Sequence, residues 1–325
     1  DLVRSRGLGD VYKRQVEVYD PLTDRWETKA PMITDRWGLM ASVLNGKIYV
    51  IGGRRGSASG GHSATNVVEE YDPANNMWAS KASMPTARGY GGCVVFNDTI
   101  FVFGGRLSSA VNVIEKYYPA TNSWFNESPM PNARYTFATS AVTNRVYLIG
   151  GWGTNLVEEY DLITKTWATK SPMPTARGAS GAGVVNGKIF VVGGRDGAGN
   201  EFERYDPARD IWMSLLAMPT AREGLTAAVV NNRLYAITGS KPLGQGGLPY
   251  YGKNEVADSI TAIEAVNDEA RKAFVLLEIT SNPISRCPQI CYNLPVGGNV
   301  NLSIYNIFGV RIGMLVDRFQ KAGSY

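Results

Sequence analysis

Residues 158–194 read EEYDLITKTWATKSPMPTARGASGAGVVNGKIFVVGG, and this stretch decides the fold. It sets Trp167 seven residues after Tyr160, Met173 six after Trp167, Arg177 four after Met173, and Gly193-Gly194 sixteen after Arg177. Four other copies keep that spacing, led by Tyr19 and Trp26, Tyr71 and Trp78, Tyr117 and Trp124, and Tyr205 and Trp212. Met32, Met84, Met130 and Met218 follow, and then Arg36, Arg88, Arg134 and Arg222. The double glycine stands at Gly52-Gly53, Gly104-Gly105 and Gly150-Gly151, and the last copy substitutes Thr238-Gly239. Chance does not hold such a register over copies 52, 46, 43 and 45 residues apart.

Between each Arg and its glycine pair, two apolar segments flank Asn45-Gly46, Asn97-Asp98, Thr143-Asn144, Asn186-Gly187 or Asn231-Asn232. Most of these pairs adopt φ > 0 readily, as a two-residue hairpin requires. Residues 47–51 and 188–192 are apolar on both faces, the mark of strands covered on each side. A third strand ends in Glu-Glu-Tyr-Asp-Pro or a variant, and a fourth begins near the Trp. Four short strands per repeat of this length predict a β-propeller blade.

The double glycine, the Tyr with its Trp, and Met-Pro-x-Ala-Arg together resemble kelch repeats from residue 16 to about 240. No Trp-Asp pair occurs and no Gly-His pair recurs from copy to copy, as the other common propeller repeat would require. The expected fold class is therefore all-β: a kelch β-propeller over 16–266, followed by a partial β-sandwich. Residues 16–30 supply the outer half of one blade, and five whole or nearly whole blades follow. About 22 further residues upstream would complete six blades, the preferred number, whereas closure of this chain alone gives five. The last blade is degenerate, with Glu255-Val256 or 260–263 as its remaining strand candidates.

Both ends are read as foreign to the propeller. Asp10-Val11-Tyr12-Lys13-Arg14-Gln15 looks like the translated end of a sequencing adaptor, so 1–15 is set aside as a scar. Residues 267–280 form a linker or first strand. Residues 281–325 alternate with period two and resemble a truncated FlgD-like immunoglobulin-type domain of secreted bacterial proteins, some of which use such tails for sorting. That resemblance implies a location outside the cell or on its surface. Cys287 and Cys291 could pair only across a sharp bend, and Cys93 reads as a small buried hydrophobe.

Composition excludes several functions. The 33 basic and 29 acidic residues are spread along the chain, against a nucleic-acid binder, and no uncharged run is long and apolar enough for a transmembrane segment. His62 is the only histidine, which excludes the two-imidazole copper site of some kelch-fold oxidases and leaves a Ser-His-Asp relay without positioned partners. No phosphate-binding glycine loop precedes a helix. No cofactor, metal or catalytic residue is expected.

Hairpin order gathers the loops after the glycines and the Met-Pro-x-Ala-Arg connections on one face. Arg54, Arg106 and Arg195 follow the glycine pairs there, with Trp37 and Trp152 outside the Trp register and Tyr250 and Tyr251 on a long loop. These are the candidate ligand-binding residues at the propeller mouth. The five repeat arginines are either part of a cationic rim or internal partners of backbone carbonyls, the second being favoured because a buried Arg must be paired. Tyr71, Trp78, Tyr117, Trp124, Tyr160, Trp167, Tyr205 and Trp212 are read as packing between blades, burying about 150–250 Å² each. The functional expectation is a non-catalytic module binding a protein or an acidic glycan or peptide. The alternative is a cofactor-free sugar mutarotase-like enzyme at the same mouth, with Glu201 and Glu223 beside arginines as its acid–base groups.

Overall fold

The computed structural model describes residues 14–56 and 62–242 and, beyond them, the backbones of strands between 254 and 324. Four complete antiparallel blades stand in chain order. Blade I is Met40–Leu44, Lys47–Ile51, Val68–Asp72 and Met77–Lys81; blade II is Gly92–Phe96, Thr99–Phe103, Ile114–Tyr118 and Ser123–Glu127. Blade III is Ala138–Val142, Arg145–Ile149, Val157–Asp161 and Trp167–Lys170; blade IV is Gly181–Val185, Lys188–Val192, Phe202–Asp206 and Ile211–Ser214. A two-stranded sheet, Val16–Asp20 with Arg25–Lys29, precedes them. A three-stranded sheet of Thr226–Val230, Arg233–Ile237 and Asn254–Ala257 follows. The fold is an all-β kelch-type propeller.

The hairpin turns form as their residues dictate: Asn45 and Gly46, Asn97 and Asp98, Asn186 and Gly187, and Asn231 and Asn232 all have positive φ. Side chains alternate across each blade, so the cores lie between neighbouring sheets. Met40, Ile51 and Met84 pack with Ile100, Val102 and Tyr117 between blades I and II. Phe103 and Ile114 meet Val146, Leu148 and Tyr160 between blades II and III, and Tyr147 and Ile149 meet Ile189 and Tyr205 between III and IV.

The repeat Tyr and Trp close these seams by a shared device. Within each pair the rings sit 4.7–5.1 Å apart. The Trp78, Trp124 and Trp212 indoles donate to the carbonyls of Ala30, Ala82 and Ser171 in the preceding sheet. The Tyr71, Tyr117 and Tyr205 hydroxyls donate to Asn76, Asn122 and Asp210, each of which also accepts the backbone N–H of that same preceding residue. The third blade departs from this pattern. Lys165 occupies the Asn/Asp position, and Tyr160 Oη and Trp167 Nε1 are buried without a hydrogen-bond partner.

The glycine pair is required by close approach. A Cβ on Gly52 would sit 2.3 Å from the Arg88 carbonyl, and one on Gly150 2.4 Å from the Arg177 carbonyl. In both cases the second glycine donates its N–H to the same carbonyl of the following blade.

Of the two strand candidates expected after residue 240, Glu255 and Val256 lie on Asn254–Ala257. Ile260–Val266 pairs instead with Gly298–Asn306, which pairs in turn with Arg311–Gln320. This sheet and a second one (Leu277–Ile279, Ile290–Leu294, Gly323–Ser324) belong to a separate compact unit made mainly of residues 256–325. An immunoglobulin-type sandwich is not established for it. Side chains there, including Cys287 and Cys291, lie outside the described residues. At the other end, the Arg14 carbonyl accepts the Met32 N–H, the place that Asn66, Asn112, Asn155 and Asn200 take for Met84, Met130, Met173 and Met218. Residue 14, set aside with the scar, thus stands in the backbone register of the repeat. Among the described residues no helix is long and apolar enough to cross a membrane.

Candidate functional site

The innermost turn of each repeat lies two residues after its arginine. Gly38, Tyr90, Thr136, Ala179 and Gly224 hold these positions, all with φ between 53° and 62°. Each N–H after the first donates to the carbonyl of the one before, at 2.7–2.8 Å. This arc spends its backbone groups on the neighbouring blade, so recognition at the mouth falls to side chains.

The repeat arginines are not among those side chains. Arg36, Arg88, Arg134, Arg177 and Arg222 are all buried. Arg36 meets Glu69 at 2.9 Å, Arg134 meets Glu158 at 2.5 Å, Arg177 meets Glu203 at 2.5 Å, and Arg88 pairs with Glu115. Each of these four also donates to main-chain carbonyls of its own blade, as Arg177 does to Gly193 and Val191; Arg222 reaches Thr238. Burial pulls the Arg36, Arg88 and Arg134 guanidinium groups below their ordinary pKa, and the glutamate opposite each works against that. Of the two readings of the repeat arginines, the favoured one, internal partners rather than a cationic rim, holds: all five are buried, and four answer their charge with a glutamate of their own blade.

The mouth is built from two rows of residues bridged in pairs. The residue after each repeat Arg and the residue after each glycine pair exchange backbone hydrogen bonds, joining Trp37 with Arg54, Gly89 with Arg106, Gly178 with Arg195, and Glu223 with Ser240. Trp152 makes the corresponding bond to Tyr135. Side chains from three blades then stack in sequence. The Arg106 guanidinium lies 5.3 Å from the Tyr135 ring centre, and Tyr135 stacks on Trp152 at 5.9 Å and 16°. Arg195 lies 4.7 Å from the Trp152 ring centre, and its Nε is 3.5 Å from Glu223. Trp152 is still 51% exposed. Beside the Arg106 end of this ladder, Arg54 donates to the carbonyls of His62 and Leu107, while Trp37 donates to Tyr90 Oη and meets the His62 ring edge-on.

Five of the seven candidate ligand residues therefore share one face, in two groups: Arg106, Trp152 and Arg195 in the ladder, Arg54 and Trp37 beside His62. Tyr250 and Tyr251 lie outside the described residues. Glu201, weighed as an acid–base group, accepts the N–H groups of Ala198 and Gly199 and so shapes its own loop. The sequence reading missed Tyr135, whose signal was its place immediately after Arg134. It also missed the glutamate two residues before each repeat Tyr, at Glu69, Glu115, Glu158 and Glu203.

Comparison with known proteins agrees with this architecture. A family model described as the KLHDC2/KLHL20/DRC7 Kelch-repeats domain matches residues 38–239, more than half of the chain. The F-box protein AFR of Arabidopsis thaliana is 40% identical over 79 residues, 24% of this chain and 20% of that protein. Beta-scruin of Limulus polyphemus is 40% identical over 97 residues, 29% and 11% of the two chains. Kelch-like protein 25 of Rattus norvegicus is 33% identical over 104 residues, 31% and 18% of the two. The matched stretch thus spans a fifth or less of these relatives. The solved chain titled "Structure of YjhT" superimposes with a TM-score of 0.61 at 17% identity, over 71% of this chain and 87% of that one, a likeness of fold. With four blades, their glycine pairs and their Arg-centred staples in one register, the chain belongs to the kelch-repeat family.

Proposed function

We propose that this kelch domain is a protein-binding module whose mouth takes an acidic segment of its partner. The observation that carries the reading is the ladder Arg106–Tyr135–Trp152–Arg195. It holds two guanidinium groups against aromatic faces, and among the described residues Arg195 alone of Arg54, Arg106 and Arg195 faces a carboxylate. A guanidinium oriented by a ring and by carbonyl acceptors is preorganised to receive a carboxylate bidentately. The exposed Trp152 face offers apolar contact beside it. The remaining finer readings, six blades and an extracellular protein ending in an FlgD-like domain, rest on the sequence resemblance alone.

Calorimetric titration with Glu/Asp-rich peptides at two salt concentrations tests the reading. Binding should weaken as salt rises, since the screening length is about 8–10 Å near physiological strength. Replacing Arg54, Arg106 and Arg195 together by Ser should abolish it with melting nearly unchanged. Uronic-acid oligosaccharides binding in place of the peptides would reassign the ligand to glycans. Peptide binding that survives the triple substitution would overturn the site.

A further inference from the structure

We infer a second ligand site, for a neutral sugar, on the outer part of blade II. Two side chains there break the repeat. Tyr118 stands where the other copies have Asp20, Asp72, Asp161 and Asp206, each of which accepts a backbone N–H of its own turn. Phe125 stands where the others have Glu27, Ala79, Ala168 and Met213. The blade gives up a turn-capping carboxylate and exposes a phenyl ring to 52%.

Both changes serve one cleft. Phe125 pairs across the strands with Lys116, and Tyr118 lies two residues further along the same face. The Tyr118 and Phe125 rings meet edge to face, 5.4 Å apart at 88°. With Lys116, Thr121 and Asn126 they line a shallow, open depression of about 390 Å³, room for one sugar ring lying against the surface. It sits at the turn between the third and fourth strands, at the opposite end of the strands from the glycine-pair loops.

The lining selects the ligand class. Lys116 donates to Glu127 at 3.2 Å, a carboxylate that Lys165 also approaches at 3.5 Å, so its ammonium is held to an acid of the chain rather than turned into the cleft. Among the described residues Tyr118 Oη makes no hydrogen bond, and Thr121, whose hydroxyl shares a bond with Ser123, and Asn126 add polar groups at the margin. Aromatic faces ringed by neutral donors and acceptors match a pyranose, which has a C–H face for the rings and hydroxyls at its perimeter. This site does not depend on the reading of the mouth.

Saturation-transfer NMR and titration with methyl β-glucopyranoside, methyl β-galactopyranoside, methyl α-mannopyranoside and N-acetylglucosamine test it, with a polyproline decapeptide as the competing ligand class. At least one glycoside should bind. The variant Y118D/F125A gives blade II the residues that other copies carry, so it should fold and yet bind the glycoside at least tenfold more weakly. Phe125→Ala alone, at a surface position, should lose most of the binding. Arg106→Ser with Arg195→Ser should leave it unchanged. No glycoside binding, binding only of the peptide, or glycoside binding unaltered by Y118D/F125A and by F125A would each overturn the proposal.

Discussion

Arg177 Nη1 lies 2.5 Å from Glu203 Oε2, and neither side chain is more than 3% exposed. Such a pair is costly to break from one side because the survivor is left buried and charged. Arg177→Met should therefore destabilise the fold by about 3–5 kcal/mol. Adding Glu203→Leu should recover part of that loss, since the uncompensated carboxylate is gone. Urea unfolding of the two single variants and the double variant measures the coupling. Strictly additive effects would show that the pair does not act as a unit.

Lys165 is the weak point of the seam between blades II and III. It holds φ 61°, a region that Asn tolerates better than Lys, and it offers no acceptor to Tyr160 Oη. Lys165→Asn should raise the melting temperature and stabilise by about 1–2 kcal/mol, net of the lost Lys165 contacts to Glu127 and the Phe101 ring. Unchanged or lower melting would mean that those contacts outweigh the missing bond.

The indoles should separate in the same way. Trp124 donates to the Ala82 carbonyl, whereas Trp167 Nε1 has no partner. Exchange for Phe should cost Trp124 more than Trp167 by about 1 kcal/mol. Thermal melts of the two variants decide it, and equal losses would count against the inter-blade bond.

Acid should loosen the turns before the cores. Lys47 and Asn75 hold the Asp72 carboxyl down to about 2, and backbone N–H groups of the turn hold Asp161 below its usual range. A carboxyl depressed on folding contributes stability that is present above its unfolded pKa near 3.8 and lost as pH falls through the folded value. Stability should therefore fall between about pH 5 and pH 2. Asp72→Asn with Asp161→Asn should flatten that decline, read as the melting temperature across the pH series. An unchanged slope would place the acid sensitivity elsewhere.

Some of this was legible in the chain because it is local. The Asn-Gly turns, the covered strands and the glycine pairs follow from residues within one repeat. The Lys165 irregularity was equally visible, as the one copy with neither Asn nor Asp two residues before its Trp. It gained meaning only when Tyr160 and Trp167 were found without partners. Tyr135 is marked locally only by its place after Arg134, and its role depends on neighbours, Arg106 and Trp152, that arrive from other parts of the chain.

The sequence by itself determined the blades, their order and the face on which the post-glycine residues collect, because strand alternation and hairpin chirality leave few other arrangements. Only the tertiary structure decided which arginines face the mouth. Arg36, Arg88, Arg134 and Arg177 find their glutamates 33, 27, 24 and 26 residues downstream. Those partners meet only when the third strand docks beside the second and buries both charges together. Arg54, Arg106 and Arg195 lie beyond the four-stranded sheets, bridged to the residue after a repeat Arg and out of reach of the glutamates that pair the buried arginines; Arg195 meets Glu223 instead.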